Sequence, residues 1–415
     1  MGHSYNVWIV NHYATYFQQG GRHYQFGKRL LERGYSINII TANTLHGTDN
    51  TVPVENGKYT KRNTYGVPTI YIKVPEYKGN GLKRIVNMLM FNRNVKKYAE
   101  ELQDELGKPD IIYCSSPQIF TCLSALQLGK KFKVPVISEV RDLWPATIVA
   151  MGKLSSRGIL ARILFAMEKY IYSKSSAVIF TMEGGAQYII DSDWTKEVDL
   201  NKVFHINNGI DYKQFTTNAR EHVVKDELLD NPKYKCFTYC GSIREANNLK
   251  VLIDAFKIIK DENIKLLIWG DGTQANYLRD YCQINSINNV IFKGRVGKEQ
   301  VPSIVQKAFV NILHNHYIYV YKYGSSQNKL FEYLAAGKPI LSTCDYGYNI
   351  ITGNDCGVST NYEIANIVEA IYELSNIDEE EYVKFCRNSL ETAKEYDFSL
   401  LTDKLEKVFE FVLYK

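Results

Sequence analysis

The sequence predicts an α/β protein with two Rossmann-like, doubly wound domains that face each other across a cleft. Its 415 residues exceed what one hydrophobic core usually serves, so two domains are expected. Short β-branched and aromatic runs alternate with longer amphipathic segments, as in parallel sheets joined by crossover helices. This alternation begins again near the middle of the chain, which predicts two such units in series.

The strand-like runs set the predicted domain boundaries. In the first half they lie at residues 5–10, 37–41, 111–114, 136–139, 177–180 and 203–206. In the second half they lie at residues 237–240, 266–269, 290–292, 310–313 and 340–342. The turn-rich residues 207–211 separate the two sets, and the charged segment to about Pro232 is interpreted as connecting structure. We therefore predict an N-terminal domain over 1–208 and a C-terminal domain over 209–397, with an amphipathic helix at 398–415 completing the first.

Composition excludes several classes of protein. The net charge of +5 is too mild to indicate nucleic-acid binding, and no apolar run approaches the ~18 residues of a membrane span. The first residues lack the pattern of a secretory signal, so cytoplasmic residence is expected. The eight cysteines include no Cys-x-x-Cys pair and are interpreted as reduced, mostly buried thiols.

A glycine pair follows the first predicted strand. Gly20 and Gly21 precede a helix predicted to run to Gly34, and backbone N–H groups at such a turn can approach a phosphate or a sugar. An ordinary glycine turn is an equal alternative, because the Gly-x-Gly-x-x-Gly spacing of dinucleotide sites is absent.

The most informative segment is 323–339. We expect Ser325 or Ser326 to cap a helix that ends at Gly337. A diphosphate would bind the N–H groups at the start of this helix, contributed by Ser326, Gln327, Asn328, Lys329 and Leu330. Lys329 would supply the counter-charge, while Glu332, one turn further, would accept hydrogen bonds from ribose hydroxyls. The alternative is an ordinary amphipathic helix with a solvated lysine and glutamate.

Turns after three predicted strands of the second domain extend this interpretation. Backbone and side chains at these turns would contact the same nucleotide ligand. The residues are Gly241, Ser242, Arg244, Gly270, Asp271 and Arg295. Arg295 is predicted to lie against the nucleobase. Each turn by itself can equally be structural.

Arg141 and Asp142 follow the predicted strand at 136–139, at the edge where ligands bind in parallel sheets. They could orient an acceptor hydroxyl or a phosphate, and the alternative is an internal ion pair. Asp191 and Asp193 are two apart as in an Asp-x-Asp metal signature, but they follow a helical segment. No metal site is predicted from them.

These motifs together resemble the retaining glycosyltransferase family 4 enzymes of GT-B fold, in particular the fucosaminyltransferase-like branch of capsule and O-antigen synthesis. The resemblance extends over nearly the whole chain. It rests on residues 20–24, 79–84 with Asn87 and Met88, 139–145, 208–211 and 328–339.

The resemblance implies transfer from a UDP-sugar with retention of configuration and no cofactor or protein-bound metal. It also implies that the N-terminal domain, 1–208, binds the acceptor and that the C-terminal domain, 209–397, binds the nucleotide sugar. The sugar would be an N-acetylated, optionally 6-deoxy, hexosamine, and the acceptor a polyprenyl-diphosphate-linked glycan. Glu332 matches the ribose-binding glutamate of the family, whereas Gly324 stands where the family has another carboxylate and Arg141 where it commonly has histidine. Transfer would thus proceed without a protein base, with Lys329, Arg141 and Asp142 as the residues that promote it.

The segment 78–97 combines cations with apolar residues, as in helices that lie in an anionic membrane interface. The residues expected to contact the membrane or acceptor are Lys83, Arg84, Met88, Phe91, Lys96 and Lys97. This predicts peripheral attachment at the inner face of a bacterial plasma membrane, and the alternative is a core helix with solvated cations.

Two other functions are compatible with the predicted fold. A sugar-nucleotide 2-epimerase would need acidic and basic side chains around the sugar, and no such cluster is evident. A non-catalytic scaffold that binds nucleotide sugars would bind the donor without turnover.

Overall fold

The computed structural model describes residues 5–14, 21–45, 50–55, 57–77, 79, 81–116 and 118–414. The chain divides into two compact units. Unit 1 comprises residues 1–207 together with 398–415, and unit 2 comprises residues 208–397. Each unit is built on one mainly parallel sheet joined by helices, which confirms the α/β class of the prediction.

The elements of unit 1 follow in chain order. They are β1 (Asn6–Val10), α1 (Arg22–Glu32), β2 (Ser36–Ala42), β3 (Tyr59–Thr64), β4 (Val67–Ile72), α2 (Leu82–Lys97), α3 (Ala99–Leu106), β5 (Ile111–Ser115), α4 (Ile119–Phe132), β6 (Val136–Val140), α5 (Ala146–Ala150), α6 (Ile159–Lys174), β7 (Ala177–Phe180), α7 (Gly185–Asp191) and β8 (Val203–His205).

Unit 2 then contains α8 (Tyr212–Glu221), β9 (Lys235–Cys240), α9 (Leu249–Ile258), β10 (Ile264–Trp269), α10 (Ala275–Ile284), β11 (Val290–Gly294), α11 (Val301–Lys307), β12 (Val310–Leu313), α12 (Asn328–Ala335), β13 (Ile340–Ser342), α13 (Ile350–Gly353), β14 (Gly357–Ser359), α14 (Ile364–Ser375) and α15 (Glu379–Glu395). The chain returns to unit 1 with α16 (Phe398–Leu413).

The sheet of unit 1 has the strand order β3-β4-β2-β1-β5-β6-β7-β8. Its neighbouring strands are parallel except β3 and β4, which form an antiparallel hairpin that the sequence analysis missed. The hairpin turn is Tyr65-Gly66, where both residues have positive φ, as type I′ turns require. Polar β3 was missed because all its residues are exposed or only partly buried.

The sheet of unit 2 has the order β11-β10-β9-β12-β13-β14 with all pairs parallel. The three-residue strand β14 was not predicted, because its short sequence carries little periodicity. The segment expected to be mere connecting structure also contains α8. Asp211 caps that helix by accepting a hydrogen bond from Gln214 N–H at 3.0 Å, which contradicts the simpler expectation.

Helix α16 packs against unit 1 through a buried apolar face. Leu401, Leu405 and Val408 are buried there, and the Phe398 ring meets the Phe26 ring of α1 edge to face at 5.5 Å. Burying each such side chain contributes roughly 1.5–3 kcal/mol. The last helix is therefore part of the unit 1 core, although 190 residues of unit 2 separate it in sequence from β8 and its loop.

Candidate functional site

The turns that follow β9, β10 and β11 are joined by backbone hydrogen bonds. Gly241 N–H donates to Trp269 O at 2.9 Å, and Gly270 N–H donates to Gly294 O at 2.8 Å. Gly270 has φ +147°, and a Cβ there would lie 1.8 Å from Gly241 O, so only glycine fits. The packing explains this glycine, while contact of Gly241 and Gly270 with a donor stays a prediction.

Helix α12 begins at Asn328, with Gln327 as its N-cap and no side chain capping it. The expectation that Ser325 or Ser326 caps this helix is therefore wrong. Ser326 Oγ instead accepts from Asn208 N–H at 2.9 Å, which fixes the loop before the helix to the start of unit 2. Within the described chain the N–H groups of Asn328 and Lys329 have no hydrogen-bond partner. These donors, with the helix dipole, favour an anion.

Lys329 lies in the first turn of this helix. Its Nζ donates to Tyr239 Oη at 3.1 Å and lies 4.3 Å from the centre of the Tyr239 ring. No carboxylate of the described residues comes within 4.0 Å of Nζ. Burial lowers the pKa of Lys329 to about 8, with the charges of Cys240 and Glu332 opposing this effect. A partly buried ammonium without an ion-pair partner would gain from an incoming phosphate.

The absence of bulk at Gly241 makes room for this ammonium. A Cβ on Gly241 would lie 3.3 Å from Lys329 Nζ and 3.1 Å from Tyr239 Oη. The Tyr239 hydroxyl also donates to Ser242 O at 3.0 Å. The first turn of α12 and the turn after β9 thus share one set of polar contacts.

The side chain of Gln327 is occupied by neighbouring residues. Its Oε1 accepts from Asn315 Nδ2 at 2.6 Å, and its Nε2 donates to Tyr346 Oη at 2.8 Å. This amide therefore positions the start of α12. The predicted contact of Gln327 with a donor would have to come from its main-chain N–H group.

Glu332, one turn after Asn328, forms an ion pair with Lys298. The Glu332 side chain is 14% exposed and the Lys298 side chain 43% exposed, so the carboxylate has an outlet to solvent. Leu330 is buried on the inner side of the helix. The other predicted donor contacts are exposed at loops or at the helix start, namely Ser242, Arg244, Asp271, Arg295 and Asn328.

Unit 1 holds a buried charge cluster at the end of β6 that the sequence analysis did not assign. Glu139 is fully buried, and its Oε2 accepts from Arg22 Nε at 2.8 Å. The same oxygen accepts from the Tyr113 hydroxyl, and Oε1 accepts from Ser115 Oγ at 2.8 Å. Arg22 also donates to the carbonyls of Ile206 and Asn207. Every charge in this cluster is therefore matched.

His23 lies beside the same carboxylate, with its Nε2 3.3 Å from Glu139 Oε1. Burial would raise the pKa of Glu139, but the Arg22 guanidinium and His23 hold it well below its ordinary value. Burial lowers the pKa of His23, with Glu139 opposing this effect. The cluster thus positions α1 and β6, and it gives His23 no exposed face for acid–base chemistry.

Arg141 and Asp142 follow β6, as predicted. Asp142 is exposed and Arg141 is partly buried, and the two do not form an ion pair in the described structure. Arg141 N–H donates to Ser116 Oγ at 2.9 Å, whereas its buried Nε has no hydrogen-bond partner among the described residues. The alternative of an internal ion pair is thereby excluded, and the guanidinium retains donor capacity.

The glycine pair is described only at Gly21, since Gly20 lies outside the described residues. Gly21 is the N-cap of α1, and its carbonyl accepts from Tyr24 N–H at 2.9 Å. No group of three or more His, Cys, Asp or Glu side chains within the described ranges could hold a metal ion.

Helix α2 contains the residues predicted to contact a membrane. Lys83 and Lys97 are exposed, while Lys96 and Met88 are partly buried. Phe91 is fully buried, so the prediction that it contacts a membrane is wrong. Arg84 Nε donates to Tyr13 Oη at 3.1 Å. No helix of the described structure is long and apolar enough to span a bilayer.

The sequence analysis missed the partners of the predicted residues. Glu139 offered a signal, because a carboxylate inside an apolar strand needs a cation. Tyr239 and Lys298 offered none, since each reaches α12 from a distant segment.

Two family models cover most of the chain. Residues 22–214 match the model described as Glycosyltransferase Family 4, and residues 234–376 match the model described as Glycosyl transferases group 1. The chain carries both domains of a glycosyltransferase. It is 24% identical over 215 residues to a Bacillus subtilis (strain 168) protein named "Putative teichuronic acid biosynthesis glycosyltransferase TuaH". That alignment covers 50% of this chain and 50% of the length of the relative.

Solved structures establish the fold of this glycosyltransferase chain. Sucrose-phosphate synthase from Thermosynechococcus elongatus has a TM-score of 0.73 at 14% identity, covering 98% of both chains. Anabaena Alr3699/HepE, solved in complex with UDP and glucose, has a TM-score of 0.67 at 11% identity, covering 98% of this chain and 99% of that one. The expected GT-B fold is thus confirmed.

Proposed function

We propose that this glycosyltransferase moves an N-acetylated hexosamine, optionally 6-deoxy, from a UDP-sugar to a polyprenyl-diphosphate-linked glycan precursor. The observation that carries the proposal is the start of α12. In the part of the chain that the structure describes, two N–H donors without partners and a lysine without a nearby carboxylate meet there, in the domain that matches Glycosyl transferases group 1. A diphosphate supplies the charge that this arrangement lacks.

UDP is proposed as the nucleotide because HepE, which shares the fold, was solved with UDP and glucose. The diphosphate would bind the N–H groups of Asn328 and Lys329. Glu332, held by Lys298, would accept hydrogen bonds from the ribose hydroxyls. Arg244 and Arg295, both exposed, would contact the phosphates and the nucleobase.

We propose transfer with retention at the anomeric carbon and without a protein-bound metal or cofactor. The bond between the anomeric carbon and the diphosphate oxygen breaks as the acceptor hydroxyl oxygen bonds to the same face of that carbon. The leaving diphosphate takes the hydroxyl proton, and Lys329 stabilises the negative charge that develops on it. Arg141 and Asp142 orient the acceptor, since the Arg141 Nε donor is unused in the described structure.

The proposed place of action is the inner face of a bacterial plasma membrane, with the protein peripheral on its cytoplasmic side. Helix α2 would bind anionic lipid through its exposed cations. The proposed role in capsule or O-antigen synthesis is supported by the resemblance of the motifs and by the name of the relative TuaH, which assigns that protein to teichuronic acid biosynthesis. No nucleic-acid partner is proposed, given the net charge of +5.

The test has two stages. A thermal-shift screen with UDP-, GDP-, dTDP- and CMP-sugars should single out one UDP-hexosamine. The protein should then transfer the sugar of that donor to a polyprenyl-diphosphate-linked acceptor. EDTA should not change the turnover. NMR of the product should show that the anomeric configuration of the donor is retained. Inversion at C2 of the sugar without an acceptor would instead identify an epimerase. Donor binding without turnover on any acceptor would identify a scaffold.

A further inference from the structure

Helix α6 has a second apolar face that no described part of unit 1 covers. Ile159, Ile163 and Tyr170 are 79%, 51% and 51% exposed and lie on one stripe at helical spacing, with Leu160 beside it at 57%. The opposite side of the helix is already buried, through Ala161, Leu164, Glu168, Ile171 and Tyr172. A helix that is apolar on both sides usually has a second partner.

Helix α2 presents a similar solvent-facing stripe. Its exposed members follow the i, i+3, i+4, i+7 pattern, at Leu82, Ile85, Val86 and Leu89. Both α2 and α6 pack against α4, so the three helices belong to one layer of unit 1. We call the exposed apolar residues of α2 and α6 the apolar face. Exposed apolar stripes on two helices of one layer are more apolar surface than scattered single residues, and such surface commonly marks an interaction site.

The two segments that contain the exposed apolar residues of α2 and of the start of α6 carry charge of one sign. Residues 82–99 contain five cations and no acidic residue. Residues 143–167, which lead into and form the first half of α6, contain Lys153, Arg157 and Arg162, all exposed, and again no acidic residue. Since the whole chain has a net charge of +5, the remainder is net negative. The positive charge of the protein is therefore concentrated beside the apolar face.

We propose that the start of α6 is a second membrane-docking element, which binds an anionic lipid bilayer together with α2. The proposal rests on the proposed function, because a lipid-linked acceptor requires access to a membrane surface. Apolar side chains would enter the interface while the flanking cations pair with anionic headgroups.

A bilayer fits these observations better than a second copy of the chain. In a two-fold dimer the same patch meets itself, so the cations of the two copies would face one another. Interface cores are also depleted of charged residues. An anionic headgroup layer neutralises the same cations.

The decisive experiment measures binding of the full chain to vesicles. Flotation with phosphatidylcholine vesicles containing 30% phosphatidylglycerol is compared for three proteins. They are the wild type, a triple variant with Ile159→Ser, Leu160→Ser and Ile163→Ser, and a double variant with Arg157→Glu and Arg162→Glu. A matched control is Ile284→Ser, an 82% exposed isoleucine of unit 2. We expect at least a tenfold lower partition coefficient for both α6 variants, and no change for the control or in the melting temperatures.

Two further measurements complete the test. A Leu160→Trp variant should show a blue-shifted emission on anionic vesicles and little change on pure phosphatidylcholine. Unchanged vesicle binding by the α6 variants would overturn the proposal, as would a lipid-free dimer that the triple variant dissociates. Transfer to a short water-soluble acceptor should be equal in wild type and the α6 variants, so a failure of membrane docking is distinguishable from a failure of the proposed transfer reaction.

Discussion

Two cations lie in the first turn of a helix, one in each unit, and have opposite surroundings. Arg22 is the first residue of α1 in unit 1, and Lys329 is the second residue of α12 in unit 2. A positive side chain at a helix N-terminus is unfavourable by itself. Glu139 compensates for Arg22 at 2.8 Å, whereas no described carboxylate lies within 4.0 Å of the Lys329 ammonium.

This difference separates a structural charge from one that can bind a ligand. Arg22, Glu139, Tyr113 and Ser115 satisfy one another in a buried network, so the network needs nothing from outside. Lys329 has a hydroxyl and a ring face as its neighbours, together with two N–H donors that have no partner among the described residues. An added anion would therefore stabilise the site around Lys329, whereas the network around Arg22 already contains its counter-charge.

The largest effect is expected from breaking the satisfied network. Glu139→Gln keeps the shape of the side chain but leaves the Arg22 guanidinium buried without a counter-charge. The free energy of unfolding should fall by about 3–5 kcal/mol, measured by urea denaturation. The control is Glu101→Gln, which removes an exposed ion pair with Lys58 and should cost less than about 1 kcal/mol. Equal losses in the two variants would contradict a structural role specific to Glu139.

Removing the Lys329 charge should lower the turnover number and leave the melting temperature nearly unchanged. We expect Lys329→Met to lower kcat for sugar transfer about 100-fold or more, as loss of a charge-stabilising donor does. The exposed Lys260 of the same unit provides the matched control, and Lys260→Met should retain wild-type kinetics. If Lys329→Met lowered the melting temperature as strongly as Glu139→Gln, the distinction between the two cations would fail.

The pH dependence gives a sharper test of Lys329. Its pKa of about 8 in the fold lies below the ordinary value of about 10.4. If the ammonium form binds the diphosphate, kcat/KM should fall about tenfold for each pH unit above 8. The Lys329 contribution to folding stability has the opposite sign. It should increase as pH rises from about 8 to about 10.4, because the unfolded chain then binds more protons than the folded one.

Lys329→Arg distinguishes the charge from a general loss of activity at high pH. Arginine stays protonated throughout this range, so a variant that retains transfer should lose the alkaline decrease in kcat/KM. An unchanged alkaline limb in that variant would assign the decrease to another group.

The smallest effect is expected at Glu332. Its ion pair with the exposed Lys298 adds little to stability, so Glu332→Gln should melt within a few degrees of wild type. Loss of a charged acceptor for the ribose hydroxyls should raise KM for the UDP-sugar about tenfold. A donor analogue that lacks these hydroxyls should bind wild type and the variant equally well. A variant with unchanged KM would remove Glu332 from the proposed site.

The strand pattern was predictable for most strands that are buried on both faces, with β4 as the exception. All eleven predicted strands occur, with ends shifted by at most two residues, because buried parallel strands appear as apolar runs. The elements that were missed are the hairpin β3–β4, the short strand β14 and helix α8. Burial is incomplete in β3 and α8, and β14 is short. Strand β4 is buried except at Pro68, a residue that argues against a strand inside a sheet. Local sequence carries too little periodicity in such segments.

The sequence by itself determined the α/β class, the repetition of the strand pattern in two halves, and the segment in which a lysine and a glutamate occupy the start of a helix. Only the tertiary structure decided which charges remain available. A carboxylate neutralises the cation at the start of α1 in unit 1, whereas the cation in the first turn of α12 in unit 2 has no acidic partner among the described residues. Short-range patterns fix secondary structure, whereas the partner of each charge comes from a distant part of the chain, 117 positions away for Arg22 and Glu139.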